Sequence, residues 1–272
     1  MHRFSAILLT LLILLNLSAC SRTSDEPTDT TAATTIPTTA PTQPAVTETV
    51  PPETAPVETT IPAQPLHSEF YIEGISVIDV IVYFREVCLA AEFVTSGDPS
   101  RLQKWTSPIY FKLNGEYTQE DYDTLISFVY LLNTISGFPG IYETQDPLIT
   151  NLSIHFCDQE GMVARLGENF RWMDGGVTFW YTEDMIHKAT ICYRTDLDQY
   201  LRNSVILEEI YNGLGPIQDT DLRSDSIIYA GYSIPQSLTA VDELLLRLLY
   251  HPQMICGMDA AQCAEVIRQL YY

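Results

Sequence analysis

Apolar residues recur at helical spacing from about Ser76 to Phe93, where Val80, Phe84, Val87, Cys88 and Ala91 share one stripe. Ser76 with Asp79 forms a capping-box pattern at the start of that helix. The stretch WTSPIYFKLNG then reads as a strand closed by an Asn114-Gly115 turn. Helical spacing returns in TQEDYDTLISFVYLLNTISG, with Leu125, Phe128, Val129 and Leu132 on one side and a second capping box, Thr118 with Asp121. LITNLSIHFCD, residues 148–158, alternates loosely enough for a strand, and MIHKATICYR alternates with period two. A further helix starts at Asp196 or Asp198 and stops at Gly213 or Gly215, and two more open at Thr239 with Asp242 and at Asp259 with Gln262. Strands mixed with helices and joined partly by hairpins imply an α+β domain. The run LLLRLLY implies that the last helices pack into its core. The chain shows neither an internal repeat nor a phosphate-binding loop.

The pattern breaks at the N-terminus. MHRFSAILLTLLILLNLSAC has Arg3, an apolar run from Ala6 to Leu15 and small residues before Cys20, the plan of a secretory signal too short to span a bilayer as a mature helix. LSAC resembles the bacterial lipobox, which implies that Cys20 becomes the lipidated first residue. Residues 21–66 then hold 14 Thr and 9 Pro with no aromatic residue, so they bury too little apolar surface to fold and read as a tether. The expected organisation is a lipoprotein signal peptide over 1–20, a disordered tether over 21–66 and one folded domain over 67–272. The expected location is extracytoplasmic, lipid-anchored to the cell membrane.

Charge narrows the partners. The chain carries −21; with +1 in the signal and −5 in the tether, −17 falls to residues 67–272. Such a domain is repelled by nucleic acid and by anionic lipid surfaces. Cys88, Cys157, Cys192, Cys256 and Cys263 remain once Cys20 is lipidated, an odd number without a C-x-x-C spacing. Cys256 and Cys263 flank a turn that a bridge could close, and the others read as small core residues.

Among acidic clusters, Asp219, Asp221 and Asp225 lack the spacing and closing glutamate of an EF-hand and read as a solvated loop. Glu208 and Glu209 are about 100° apart around a helix, so they cannot flank one glycosidic bond. The aromatics of FRWMDGGVTFWY read as core or rim packing beside an edge hairpin.

Three blocks carry a resemblance: YFREVCLAAEF with LQKWTSPIYFKLNG, VILEEIYNGLGPIQDTDLRSDSIIY, and SLTAVDELLLRLLYHPQMICGMDAAQCAEVIRQL. Together they resemble the bacterial domain of unknown function numbered 2927, found in secreted proteins and lipoproteins. That family is similar to the zincin metallopeptidases, which implies a zincin-like α+β fold with an edge strand, an active-site helix and a helical C-terminal part. Laid on VILEEIYNGLGP, the zincin pattern H-E-x-x-H puts Glu208 and Asn212 at the ligand positions and Glu209 at the general-base position. Gly215 matches the glycine of the longer motif, and Gln218 falls where a third histidine would stand. His67, His155, His187 and His251 include no i, i+4 pair.

The resemblance therefore implies a degenerate, non-catalytic zincin-like domain on a tethered lipoprotein, acting as a binding module. Glu208, Asn212, Gln218 and Asp219 are its candidate binding residues, and Glu209 is a catalytic candidate only if the site is active. No cofactor is expected, zinc included. The expected partners are the membrane, through Cys20, and an extended peptide or cell-envelope component. The alternatives are an active metallopeptidase-type hydrolase with an unusual metal site and a structural envelope lipoprotein.

Overall fold

The computed structural model describes residues 68–89, 101–231 and 233–272. The expected signal, tether, Cys20 and His67 lie outside these residues, as do residues 90–93 of the first predicted helix. The elements run α1 (Val77–Leu89), β1 (Lys104–Trp105), β2 (Ile109–Gly115), α2 (Gln119–Leu132), β3 (Ile141–Glu143), β4 (Leu152–Cys157), α3 (Gln159–Leu166), β5 (Gly175–Thr182), β6 (Met185–Arg194), α4 (Gln199–Gly213), α5 (Ala240–Leu249) and α6 (Ala260–Tyr271).

One mixed sheet organises them. Its order is β3-β2-β4-β6-β5, with β1 pairing the first two residues of β6 on the side away from β5. Strands β2, β3, β4 and β6 are parallel, and β5 is an antiparallel edge strand. Parallel neighbours need crossovers, which is why α2 separates β2 from β3. A parallel sheet with helices and one antiparallel edge is consistent with the α+β expectation.

Burial alternates along β2 and β4, so Ile109, Phe111, Leu113, Leu152, Ile154 and Phe156 face the main core. Helices α2 and α4 cover that face. On the opposite face Met162, Leu166 and Phe170 pack over Cys192 in a small second cluster. The last helices are part of the core, as expected. Leu244, Leu245, Leu246, Leu248 and Leu249 of α5 are all at most 1% exposed, each worth roughly 1.5–3 kcal/mol of transfer free energy. The carbonyl of Leu249 at the end of α5 accepts from Lys104 Nζ at 2.8 Å.

Three expectations change. The predicted strand WTSPIYFKLNG is two strands, broken where Pro108 supplies no N–H. Its Asn114-Gly115 end is not a turn but still strand, paired with His155 and Phe156 of β4. Strand pairing in 148–158 begins only at Leu152, because Leu148 is 90% exposed and its N–H bonds to Asp146 Oδ1 in a local turn. The sequence pattern also missed β3 and α3, each of which buries only one or two side chains.

Candidate functional site

Helix α4 carries the predicted site. Asp198 caps it by accepting from Leu201 N at 3.1 Å, so of the two predicted starts this one is used. At the other end the terminal carbonyls, which have no helical partner, are satisfied by side chains: Trp105 Nε1 donates to Gly213 O at 2.9 Å and Tyr250 OH to Leu214 O at 2.7 Å. Gly215 follows with φ +128, and a Cβ there would lie 2.6 Å from Gln103 O. Tyr193 OH bonds to Ile206 O from the sheet, and Tyr211 OH to Asp242 O of α5. From Ser204 to Gly213 every residue of α4 is buried. The helix lies inside the domain, packed against β5 and β6 of the sheet and against α2, and it reaches α5 through Tyr211.

That burial includes the three residues of the zincin-like frame on this helix: Glu208 is 7% exposed, Glu209 1% and Asn212 0%. Glu209 and Val205 lie against Gly175 of β5, where a Cβ would meet Val205 Cγ1 at 2.5 Å and Glu209 Cγ at 2.9 Å. The sheet can approach the acid this closely only because residue 175 has no side chain. Neither Oδ1 nor Nδ2 of Asn212 has a hydrogen-bond partner among the described residues. A buried amide in that state costs about 1–3 kcal/mol, and departures of this kind concentrate at functional positions.

Glu208, Glu209 and Asn212 are therefore brought together on successive turns of one buried helix. Gln218 and Asp219 sit beyond Gly215 and are half-buried. The chain there is pinned to the end of α1, with the N–H groups of Ile217 and Gln218 both bonding to Val87 O. Asp221 and Asp225 are exposed, and Asp225 pairs with Arg223 at 2.8 Å, in keeping with a solvated loop.

Zinc does not fit this donor set. A catalytic zinc is held by three strong donors, normally imidazole, carboxylate or thiolate, whereas the frame offers one carboxylate and two amides, one of them wholly buried. His155 lies on the sheet face opposite α4, with its Nδ1 accepting from Arg165 Nε at 3.2 Å. His251 stacks edge-on against Phe70, 5.5 Å between ring centroids. Neither histidine joins Glu208 or Asn212. Among the described residues no three His, Cys, Asp or Glu side chains are grouped to hold a metal ion.

The sequence pattern missed a second polar site. A cleft of about 550 Å³ lies at the carboxyl ends of β2, β4 and β6, lined by Glu116, Tyr117, Thr118, Asp121, Phe156, Asp158, Thr195 and Arg202. Ligands of open α/β sheets gather at this edge. Its floor is a buried ion pair, Arg202 Nε to Asp121 Oδ1 at 2.7 Å. The rest of the guanidinium donates to Thr195 O, Leu197 O and Gln199 Oε1. Burial pushes the Asp121 carboxyl up, but hydrogen bonds from Arg202, Thr118 N and Gln199 outweigh it and hold the group below the usual carboxylate range. One signal was available: Arg202 stands in the first turns of α4, where a cation opposes the helix dipole and needs a dedicated partner.

The family model described as "Protein of unknown function (DUF2927)" matches residues 79–269. That span is well over half of the chain, and the chain belongs to this family. No curated protein matches it.

Proposed function

Taking membership of DUF2927 as the premise, we propose that the chain is an extracytoplasmic lipoprotein whose folded domain is a non-catalytic, zincin-like binding module for an extended peptide. The observation that carries this reading is the state of α4: the positions that would hold and work a metal are Glu208, Glu209 and Asn212, all buried, with an amide where imidazole is needed. The zincin-like reading is supported by the antiparallel edge strand β5, the helix that follows the β5–β6 hairpin, and the helical C-terminal part. Among the described residues β5 pairs only with β6, and its last three residues, Trp180, Tyr181 and Thr182, are not buried, which leaves that end of the strand for an added one. Trp180, over which Lys188 Nζ lies at 5.2 Å, and the exposed Trp172 flank that edge. The lipobox at Cys20 and the tether after it hold the module at the membrane, and its acidity keeps it off anionic surfaces.

Fluorescein-labelled casein, an unfolded polypeptide, tests the reading with the secreted chain. The expected result is saturable binding without cleavage, unchanged by a chelator and by Glu209→Gln. Progressive cleavage that is lost on adding chelator or in Glu209→Gln would replace the binding module with the hydrolase alternative.

A further inference from the structure

The sheet face turned away from α4 carries a group of reactive side chains that the binding reading does not use. The parallel register sets His155 opposite Cys192 and Cys157 opposite Arg194, so all four residues share this face. Cys192 is fully buried beneath α3, while Cys157 packs beside it and is only half-buried at the end of β4. Helix α3 begins immediately afterwards and lays Arg165 over the thiol. Gly161 makes this possible, since a Cβ there would stand 3.0 Å from Cys157 Cβ and 3.1 Å from Arg165 Nη1. Arg165 is exposed, donates to His155 Nδ1 at 3.2 Å and to Gly161 O at 2.6 Å, and has no carboxylate partner among the described residues.

We infer that Cys157 is a thiol-modification site that exchanges with anionic low-molecular-weight disulfides, with Arg165 as the group that recognises their negative charge. The Cys157 thiolate attacks one sulfur of the small disulfide. The S–S bond of that molecule breaks, a Cys157–S–S–R bond forms, and the other half departs as a thiolate that takes a proton from water. The protein sulfur is oxidised and half of the small disulfide is reduced, so the exchange needs no other oxidant.

The setting favours the thiolate. The Cys192 thiol as a donor, followed by the Arg165 charge, holds the Cys157 thiol below its ordinary value against burial and the nearby Asp158. The groups facing the pair are His155 and Asp158 from β4 and its end, Arg165 from α3, Cys192 and Arg194 from β6, and Glu209, which acts on Cys192 through the sheet. Arg194 is already engaged by Asp196 at 2.6 Å and Asp174 at 3.7 Å, which leaves Arg165 as the available cation. Cys192 acts as donor and not as a resolving thiol. Two positions along and one strand across amounts to about 8 Å between Cα atoms in an ideal sheet, beyond the roughly 7 Å that a disulfide tolerates. The adduct on Cys157 therefore persists.

The test treats the whole protein separately with oxidised glutathione, which is anionic, and with cystamine, which is cationic, following adducts by intact mass and peptide mapping. A single glutathione adduct on Cys157 is expected, forming faster than the cystamine adduct despite the chain's negative charge. Arg165→Gln should lower that rate ratio about two- to fivefold, the scale of an exposed charge contact. Cys192→Ala should raise the pH midpoint of the reaction, and Cys157→Ser should abolish the adduct. An adduct mapped to Cys256, a Cys157–Cys192 bridge as the product, or cystamine reacting faster would each overturn the inference.

Discussion

At the scale of single residues, Asp121 shows how one side chain serves two distant purposes. Its Oδ2 accepts from Thr118 N at 2.8 Å to close the capping box of α2, while Oδ1 receives Arg202 from α4, 81 positions later. The capping box was readable because its partners lie three residues apart; the ion pair was not, because no local spacing encodes it. Asp121→Asn leaves a buried guanidinium without its countercharge, so a loss of roughly 3–5 kcal/mol is expected from denaturant unfolding. The pH dependence has a definite sign. The folded carboxyl is depressed, so its contribution is present above the unfolded value near 4, and is lost as pH falls through the lower folded value. An Asp121→Asn protein should accordingly lose less stability than the unaltered chain on going from pH 6 to pH 3.

At the scale of elements, legibility follows locality. The cap residues of α2, α4, α5 and α6 were all named from the sequence, with Asp198 as one of two choices for α4, because each cap bonds within its own first turn. The alternation of β6 was equally plain, whereas β3 is three residues long and gives no period to read. What the sequence left open about α4 is its environment: helical spacing puts Glu209 and Asn212 on a face with Val205 and Leu201, and the structure buries Glu208 as well as these two. Helix α4 is held at its end by Gly215, where positive φ and the approach of Gln103 O both exclude a side chain. Gly215→Ala should therefore cost roughly 2–4 kcal/mol, read as a lower denaturant midpoint with an unchanged m-value.

At the scale of the whole molecule, the family and the mixed α/β character were legible in the sequence. Sequence spacing placed Glu208, Glu209 and Asn212 on one helix, but the burial of that helix against β5, β6 and α2 is a property of the assembled fold. No helix among the described residues is long and apolar enough to cross a membrane, so attachment through the lipobox remains part of the proposal. The most direct measurement is the metal content of the purified chain, prepared without a histidine tag, by elemental mass spectrometry before and after dialysis against zinc. A well-folded protein with far less than one zinc per chain after dialysis is the outcome expected of a binding module. About one tightly held zinc per chain, the stoichiometry of a zincin, would contradict it.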